Sequence, residues 1–433
     1  MSLSKAERFK VVLAAMVGHI LEFYNFTIYA VFAVKLGELF FPSASELAQI
    51  LSSLGVIAVG FVMRPVGGIL FGHIGDRYGR RIALTLAVVG TAAVTFSIGI
   101  LPDYNSIGIA APVLLVFFML MLGLCVGGEG AGASIFVLEH MQNLSPGLIG
   151  GIVNAALTMG ILLAVVTGLI INSMFPGSSD AWRYAFYLGG LLGIIGLYLR
   201  LSVSETPEFE KLRQENKIVS LPIRDVFVHN WRNVILTIAV GGLTGVSGYM
   251  VMTFINIFFN TIMHYDATTS LFYGVIGNLL LIGFLPLMGL ISDRVGYSRT
   301  MLLSAMLVVM FSIPLFILLT TGNTIAILAG IFGITLLAAG IYAPLYPFML
   351  GLFTPEQRYS GIACSLNIGI AMFGGSSSVI CVALAKYTGI NYMPALYWSM
   401  VCIIFFTAFA CIRKTELKRI IQGKHLRTEE TLS

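Results

Sequence analysis

Gly72-His73-Ile74-Gly75-Asp76-Arg77-Tyr78-Gly79-Arg80-Arg81 is a charged turn set between two long apolar runs, and its reading decides the fold. The same pattern, G-x-x-x-D-R-x-G, returns 217 residues later as Gly289-Leu290-Ile291-Ser292-Asp293-Arg294-Val295-Gly296, with Arg299 just beyond. That offset is half of a 433-residue chain. One repetition at half-length points to two homologous halves, each carrying the turn in the corresponding loop between helices. The chemistry of the turn is mechanical. Its glycines let two helix ends approach closely, Asp76 and Asp293 can meet a helix N-terminus or an arginine, and clustered arginines hold such a loop on the cytoplasmic side.

Outward from the turn, the chain is 58% hydrophobic and 10% charged, with a mean hydropathy of +0.93. A soluble domain carries roughly 25% charged residues, so the composition is that of an all-α membrane protein with many spans. Twelve helices are expected, at about 11–33, 48–72, 82–101, 109–138, 148–172, 184–202, 233–259, 270–291, 300–320, 324–349, 360–385 and 392–412. The first apolar run is too long for a signal peptide and continues into Glu22 without a small-residue cleavage pattern, so it is expected to be kept as a span. The halves are 1–202 and 233–413, joined by a polar cytoplasmic linker, 203–232, and followed by a cytoplasmic tail, 414–433.

Charge fixes the expected orientation. With the N-terminus inside, 21 of the 25 Lys and Arg residues fall in inside loops and tails, three (Lys35, Arg183, Lys386) fall outside, and Arg64 lies within a helix. Both termini are therefore expected in the cytoplasm. The net charge of +5 is topological; the basic residues flank helices and form no aromatic-interleaved face for nucleic acid. Cys125, Cys364, Cys381, Cys402 and Cys411 lie in apolar segments without metal or disulfide spacing, so neither is expected.

The turn, preceded by Arg64-Pro65-Val66-Gly67-Gly68, resembles the loop between helices 2 and 3 of the major facilitator superfamily, in its metabolite:proton symporter branch of proline/betaine, 2-oxoglutarate and shikimate carriers. The resemblance extends through Glu22-Phe23-Tyr24, Gly127-Gly128-Glu129, Trp182-Arg183-Tyr184-Ala185-Phe186, Glu205-Thr206-Pro207-Glu208-Phe209, Arg358-Tyr359-Ser360-Gly361 and Phe373-Gly374-Gly375. It implies two pseudo-symmetric six-helix halves and a bacterial inner-membrane carrier working by alternating access. It also implies a cytoplasmic gate made of Gly72, Asp76, Arg77, Arg80, Arg81, Glu139, Glu205, Asp293, Arg294, Arg299 and Arg358. Two departures weaken the implied proton relay: Met119 and Leu122 stand where many relatives have an arginine and a glutamine, and Asn25 stands where helix 1 often has an aspartate.

Ionisable groups within spans are few and expensive, about 3 kcal/mol or more if unpaired, so each is a functional candidate. His19, Glu22, Asn25 and Tyr29 follow one another at helical spacing and are expected on one cavity-lining face. Glu22, near mid-helix, is read either as a proton or substrate site or as a structural partner of Arg64 or His19. Arg64 stays charged and must hold a carboxylate. Glu129, among small residues, is expected to face the pore or pair with Arg64, and Glu139 to partner Arg80 or Arg81. The proton-coupling candidates are Glu22, His19 and Glu129.

The second half offers neutral groups. Tyr249, Thr253, Asn256 and Asn260 make a one-face stripe in the seventh helix, with Tyr342 and Tyr346 beside Pro344 and Pro347 in the tenth and Asn367 in the eleventh. Ionic work is thus assigned to the first half and shape selection to the second. The candidate substrate contacts are Glu22, Asn25, Tyr29, Arg64, Glu129, Tyr249, Thr253, Asn256, Tyr342, Tyr346 and Asn367. The function expected is proton-coupled uptake of a small polar metabolite, either a zwitterion or a small carboxylate, by a monomer without a cofactor. Sodium is the alternative coupling ion, and an exporter or uniporter of the same fold the alternative carrier. A membrane-embedded enzyme would need a motif such as G-x-S-x-G or H-E-x-x-H, and neither occurs; a channel would leave the duplicated turn unexplained.

Overall fold

The computed structural model describes residues 4–42, 46–141 and 144–430, with the side chains of 46, 47, 50 and 413–430 outside the described set. Twelve helices among these residues are long and apolar enough to cross a membrane. They are α1 (Lys5–Val31), α2 (Leu51–Arg77), α3 (Arg80–Ile100), α4 (Ala110–His140), α5 (Pro146–Met174) and α6 (Trp182–Leu201), then α7 (Trp231–Ile262), α8 (Ala267–Val295), α9 (Tyr297–Leu319), α10 (Thr324–Leu350), α11 (Arg358–Thr388) and α12 (Met393–Ile412). Every apolar run in the sequence has its helix. The helix of α12 continues through the expected tail to Glu430, and 431–433 fall outside the described residues.

Two boundaries differ from expectation for local reasons. α1 starts before residue 11 because Ser4 and Glu7 form a capping box: the Ser4 hydroxyl accepts from the Glu7 N–H at 3.3 Å while the Glu7 carboxylate accepts from the Ser4 N–H at 2.8 Å, satisfying two otherwise orphaned donors. α2 runs past residue 72, so Asp76 and Arg77 belong to its last turn and the reversal itself is confined to Tyr78-Gly79. Gly79 takes φ +121° and, 217 residues on, Gly296 takes φ +99° between α8 and α9. Both are left-handed values that a Cβ would oppose.

The linker holds two short helices, Pro207–Gln214 and Pro222–His229. Thr206 caps the first, its hydroxyl accepting from the Phe209 N–H at 3.3 Å, with Pro207 at the first helical position, where a missing N–H costs nothing. Just before it, the Glu205 carboxylate accepts from the N–H groups of Arg80 (3.1 Å) and Arg81 (3.0 Å). The linker thereby caps α3, whose own N-cap is the side-chainless Gly79. Burial raises the Glu205 pKa above the ordinary carboxylate value, against the lowering effect of the N–H groups of Thr206 and Arg81. A raised folded-state pKa means the folded protein binds the proton more readily than the unfolded chain. Its stabilising contribution is therefore complete below the ordinary carboxylate pKa and lost as pH rises through the raised one. Thermal unfolding followed from neutral to mildly acidic pH should show a smaller gain in Tm on acidification for Glu205→Gln than for the unmodified protein.

Helix regularity fails where the site lies. α7 contains π-helical turns at Met250–Phe254 and Phe258–Ile262, and α11 has one at Ile370–Gly374; such turns concentrate at functional positions. α10 breaks between Tyr342 and Leu345 at Pro344, which lacks an N–H, and the Tyr342 carbonyl accepts from Asn154 Nδ2 of α5 at 3.0 Å. The halves meet along two seams, α2 on α11 and α5 on α8. The repeated glycine works identically in both. A Cβ on Gly72 would meet the Ser360 backbone, and one on Gly289 would overlap the Gly147 carbonyl.

Candidate functional site

Between the halves lies a cavity of about 30 Å³, lined from α1 by Glu22 and Phe23, from α2 by Arg64, from α7 by Tyr249 and Met252, from α10 by Tyr342 and Tyr346, and from α11 by Asn367. A space of that size holds about a water molecule, so this is a contracted state of the site. Arg64 is its centre: Nη2 donates to Glu22 Oε1 at 2.7 Å, Nε donates to Asn367 Oδ1 at 3.2 Å, and the guanidinium lies 5.4 Å from the Phe61 ring centroid. The remaining Glu22 oxygen, Oε2, has no hydrogen-bond partner among the described residues and sits 3.8 Å from His19 Nδ1. Asn367 crosses between halves, its Nδ2 donating to the Gly127 carbonyl at 2.7 Å.

Below this cavity the two seams are latched at the end carrying the repeated motif. Asp76 accepts from the N–H groups of Tyr359 (3.1 Å) and Ser360 (2.8 Å), in the first turn of α11, with Arg80 Nη2 at 3.3 Å. Asp293 accepts from Gly147 (2.7 Å) and Leu148 (3.0 Å), in the first turn of α5, and from the Tyr297 hydroxyl at 3.1 Å. Each half thus closes a carboxylate onto a helix N-terminus of the other, where unpaired N–H groups and the helix dipole favour negative charge. Glu139 supplements the first latch, 3.4 Å from Arg80 Nε and accepting from Arg358 Nη1 at 2.9 Å. Arg80 Nη2 also donates to the Pro355 carbonyl at 2.5 Å.

The residues singled out from sequence do not all converge. Glu22, Arg64, Tyr249, Tyr342, Tyr346 and Asn367 meet at the cavity. Asn25 does not: steps of three residues rotate about 60° backwards each time, and by Asn25 the face has turned to α6, its Oδ1 2.9 Å from where a Cβ on Gly189 would stand. Tyr29 is buried with its hydroxyl 3.5 Å from Ser53 Oγ. Thr253 and Asn256 line a separate cleft of about 350 Å³ together with Thr27 and Val31 of α1 and Gly168 of α5; the π-helical turn after Tyr249 breaks the spacing that put them on one stripe. At the latch, Arg77 is exposed and reaches the Ser220 carbonyl at 3.3 Å, Arg81 Nη2 donates to the Leu201 carbonyl at 2.8 Å, and Arg294 and Arg299 are exposed and join none of the latch bonds described.

Glu129 is the main correction. It meets neither Arg64 nor the cavity lining, and instead its Oε1 accepts from Arg200 Nη2 at 2.5 Å, both groups fully enclosed. The sequence had counted Arg200 among the loop cations. An arginine in the last turn of a span ordinarily extends its head to the interface, and no local signal separates that case from one turned inward. Gly18 on α1 makes the room, because a Cβ there would overlap Glu129 Oε1.

Residues 15–379 match the family described as Major Facilitator Superfamily. Among similar proteins, the proline/betaine transporter of Escherichia coli K12 is 32% identical over 414 residues, covering 91% of this chain and 81% of that protein. The glycine betaine/proline/ectoine/pipecolic acid transporter OusA of Dickeya dadantii is 30% identical over 411 residues with the same coverage. Among solved structures, the proton:xylose symporter XylE bound to 6-bromo-6-deoxy-D-glucose aligns with a TM-score of 0.76 at 17% identity, over 95% of this chain and 96% of that one. This likeness concerns the fold. With relatives of this similarity named as transporters, the protein is a multi-pass membrane transporter of small solutes and not an enzyme. Duplicated motif, twelve spans, paired latches and matched family agree: the chain belongs to the Major Facilitator Superfamily.

Proposed function

We propose that this transporter takes up a compact zwitterion, carrying one carboxylate and one secondary or quaternary ammonium group, together with a proton. The observation that carries this reading is the composition of the central cavity. Arg64 and Glu22 present both signs 2.7 Å apart beside the rings of Phe23, Tyr249, Tyr342 and Tyr346. Arginine suits a substrate carboxylate, and stacked aromatic faces suit a weakly hydrated ammonium. Relatives named for proline and glycine betaine agree with that class.

Coupling follows from competition for Arg64. While Glu22 is charged it occupies the guanidinium that a substrate carboxylate needs; protonating Glu22 frees it, so proton and substrate load together. Alternating access consists of the two halves rocking about this site, with closure at the Asp76 end as seen here and opening there after loading. That end is assigned to the cytoplasm of a bacterial inner membrane, with both termini inside, on the strength of the lysine and arginine distribution. The working unit is a monomer, the coupling ion is the proton, and no cofactor takes part. Thr253 and Asn256, off the site in this contracted state, remain assigned to substrate contact as the cavity widens towards their cleft, whereas Asn25 and Tyr29 support the α1 wall.

The test is uptake by purified protein in proteoliposomes under an imposed pH gradient. Labelled proline and glycine betaine should accumulate and should compete with each other. Accumulation of mono- or dicarboxylates, with no competition from betaine, would replace the zwitterion by an anion held on Arg64 alone. Accumulation that follows a sodium gradient and ignores pH would move the coupling role away from Glu22.

A further inference from the structure

Glu129 and Arg200 form a buried ion pair that the central cavity does not use, and they are incompletely satisfied. Glu129 Oε2 and Arg200 Nε and Nη1 have no hydrogen-bond partner among the described residues, although Glu129 is 3% and Arg200 0% exposed. Leaving such groups dry is costly, and the usual remedy is water. The charged and titratable groups facing Glu129 come from three neighbouring helices and its own: Arg200 on α6, His19 and Glu22 on α1, Tyr359 on α11 and Cys125 on α4. His19 neighbours both carboxylates: its Nδ1, without a hydrogen-bond partner among the described residues, lies 3.8 Å from Glu22 Oε2, its Nε2 lies 3.1 Å from Ser134 Oγ of α4, and it is among the titratable groups that act on Glu129.

Tyr359 separates this pocket from the latch. Its hydroxyl donates to the Gly128 carbonyl, adjoining Glu129, at 2.9 Å. Its ring fills the hollow left by Gly75 of α2 and Gly132 of α4, where a Cβ on either would overlap it. Its own N–H is one of the two held by Asp76. The residue that the latch grips is therefore also the one that closes over α4, and parting α11 from α2 must draw the ring out.

We propose that Glu129 with Arg200 is a second proton-exchange station, reached from the Asp76 end, and that Tyr359 is the plug that shuts it. This rests on the proton-coupled reading above and extends it. With the latch closed and substrate loaded on Arg64, the proton resides on Glu22. When the latch opens, the ring leaves the hollow and water reaches Glu129. The proton then passes from the Glu22 carboxyl to His19 Nδ1 and on to the Glu129 carboxylate, leaving Glu22 charged and paired with Arg64, and Glu129 releases it to solvent on that side. Substrate and proton thus leave by different routes through one opening.

The experiment needs no solute. Proteoliposomes carrying Tyr359→Ala, with an internal pH-sensitive dye, a potassium gradient and valinomycin, should admit protons at least tenfold faster than liposomes with the unmodified protein. Tyr359→Phe, which keeps the ring, should stay tight, and adding Glu129→Gln to Tyr359→Ala should restore tightness. A leak unaffected by Glu129→Gln, or a tight Tyr359→Ala, overturns the proposal; if the alanine variant is not recovered folded, Tyr359→Leu carries the same comparison. Unmodified protein whose solute uptake ignores the pH gradient would instead overturn the proton-coupled reading itself.

Discussion

Glu22→Gln is expected to abolish concentrative uptake while leaving exchange of substrate across the membrane partly intact. Glutamine keeps the shape of the side chain and can still accept from Arg64 Nη2, which now lies 2.7 Å from Glu22 Oε1, but it cannot change charge. A coupling ion moves an equilibrium only through its different affinity for the two states, so a permanently neutral residue 22 removes the dependence on pH. The accumulation ratio should fall to about one, the uncoupled limit, whereas preloaded vesicles should still show counterflow. Removing one member of a buried pair outright costs about 3–5 kcal/mol, so Glu22→Ala is expected to lose folded protein as well and is the poorer test. If Glu22→Gln still accumulates substrate with unchanged pH dependence, the carboxylate is structural.

The second large effect is expected at the latch. Asp76 is 1% exposed and accepts from two main-chain N–H groups of α11. Hydrogen bonds to a charged group are worth about 1.5–3 kcal/mol each. Asp76→Asn retains one accepting oxygen, so a loss of about 2 kcal/mol is a fair expectation, roughly a thirtyfold shift towards the open latch. Initial uptake rates should fall by about that factor, with substrate affinity at equilibrium nearly unchanged because Asp76 does not line the cavity. Asp293→Asn should fall by only a few-fold, since among the described residues Asp293 makes no ion pair with an arginine comparable to that of Asp76 with Arg80. Equal loss of equilibrium binding in both variants would remove the latch assignment.

Much of this was legible from sequence because membrane proteins advertise their spans. Apolar runs of helical length leave little freedom, and the glycines of the repeated turn, Gly72 with Gly79 and Gly289 with Gly296, did what close helix approach and left-handed turns demand. The carboxylates were legible too, as acceptors seeking a helix end or an arginine. What spacing could not reveal is where a helix departs from about 3.6 residues per turn. The π-helical turns of α7 sent Thr253 and Asn256 into another cleft, and no residue type announces such a turn. Arg200 was hidden differently. Its position at the end of α6 has an ordinary explanation, and only the packing of Gly18 against Glu129 reveals the inward one.

The two seams carry unequal loads. Along α2 and α11, Asp76 is joined by Glu139 with Arg358, by Arg80 on the Pro355 carbonyl and by Tyr359 on α4. Along α5 and α8, Asp293 has the Tyr297 hydroxyl as its supplement, and that bond lies within one half. The side-chain bonds that hold the closed end are thus concentrated on the α2/α11 edge, so drawing Tyr359 out from between α2 and α4 is the part of opening that most of them resist.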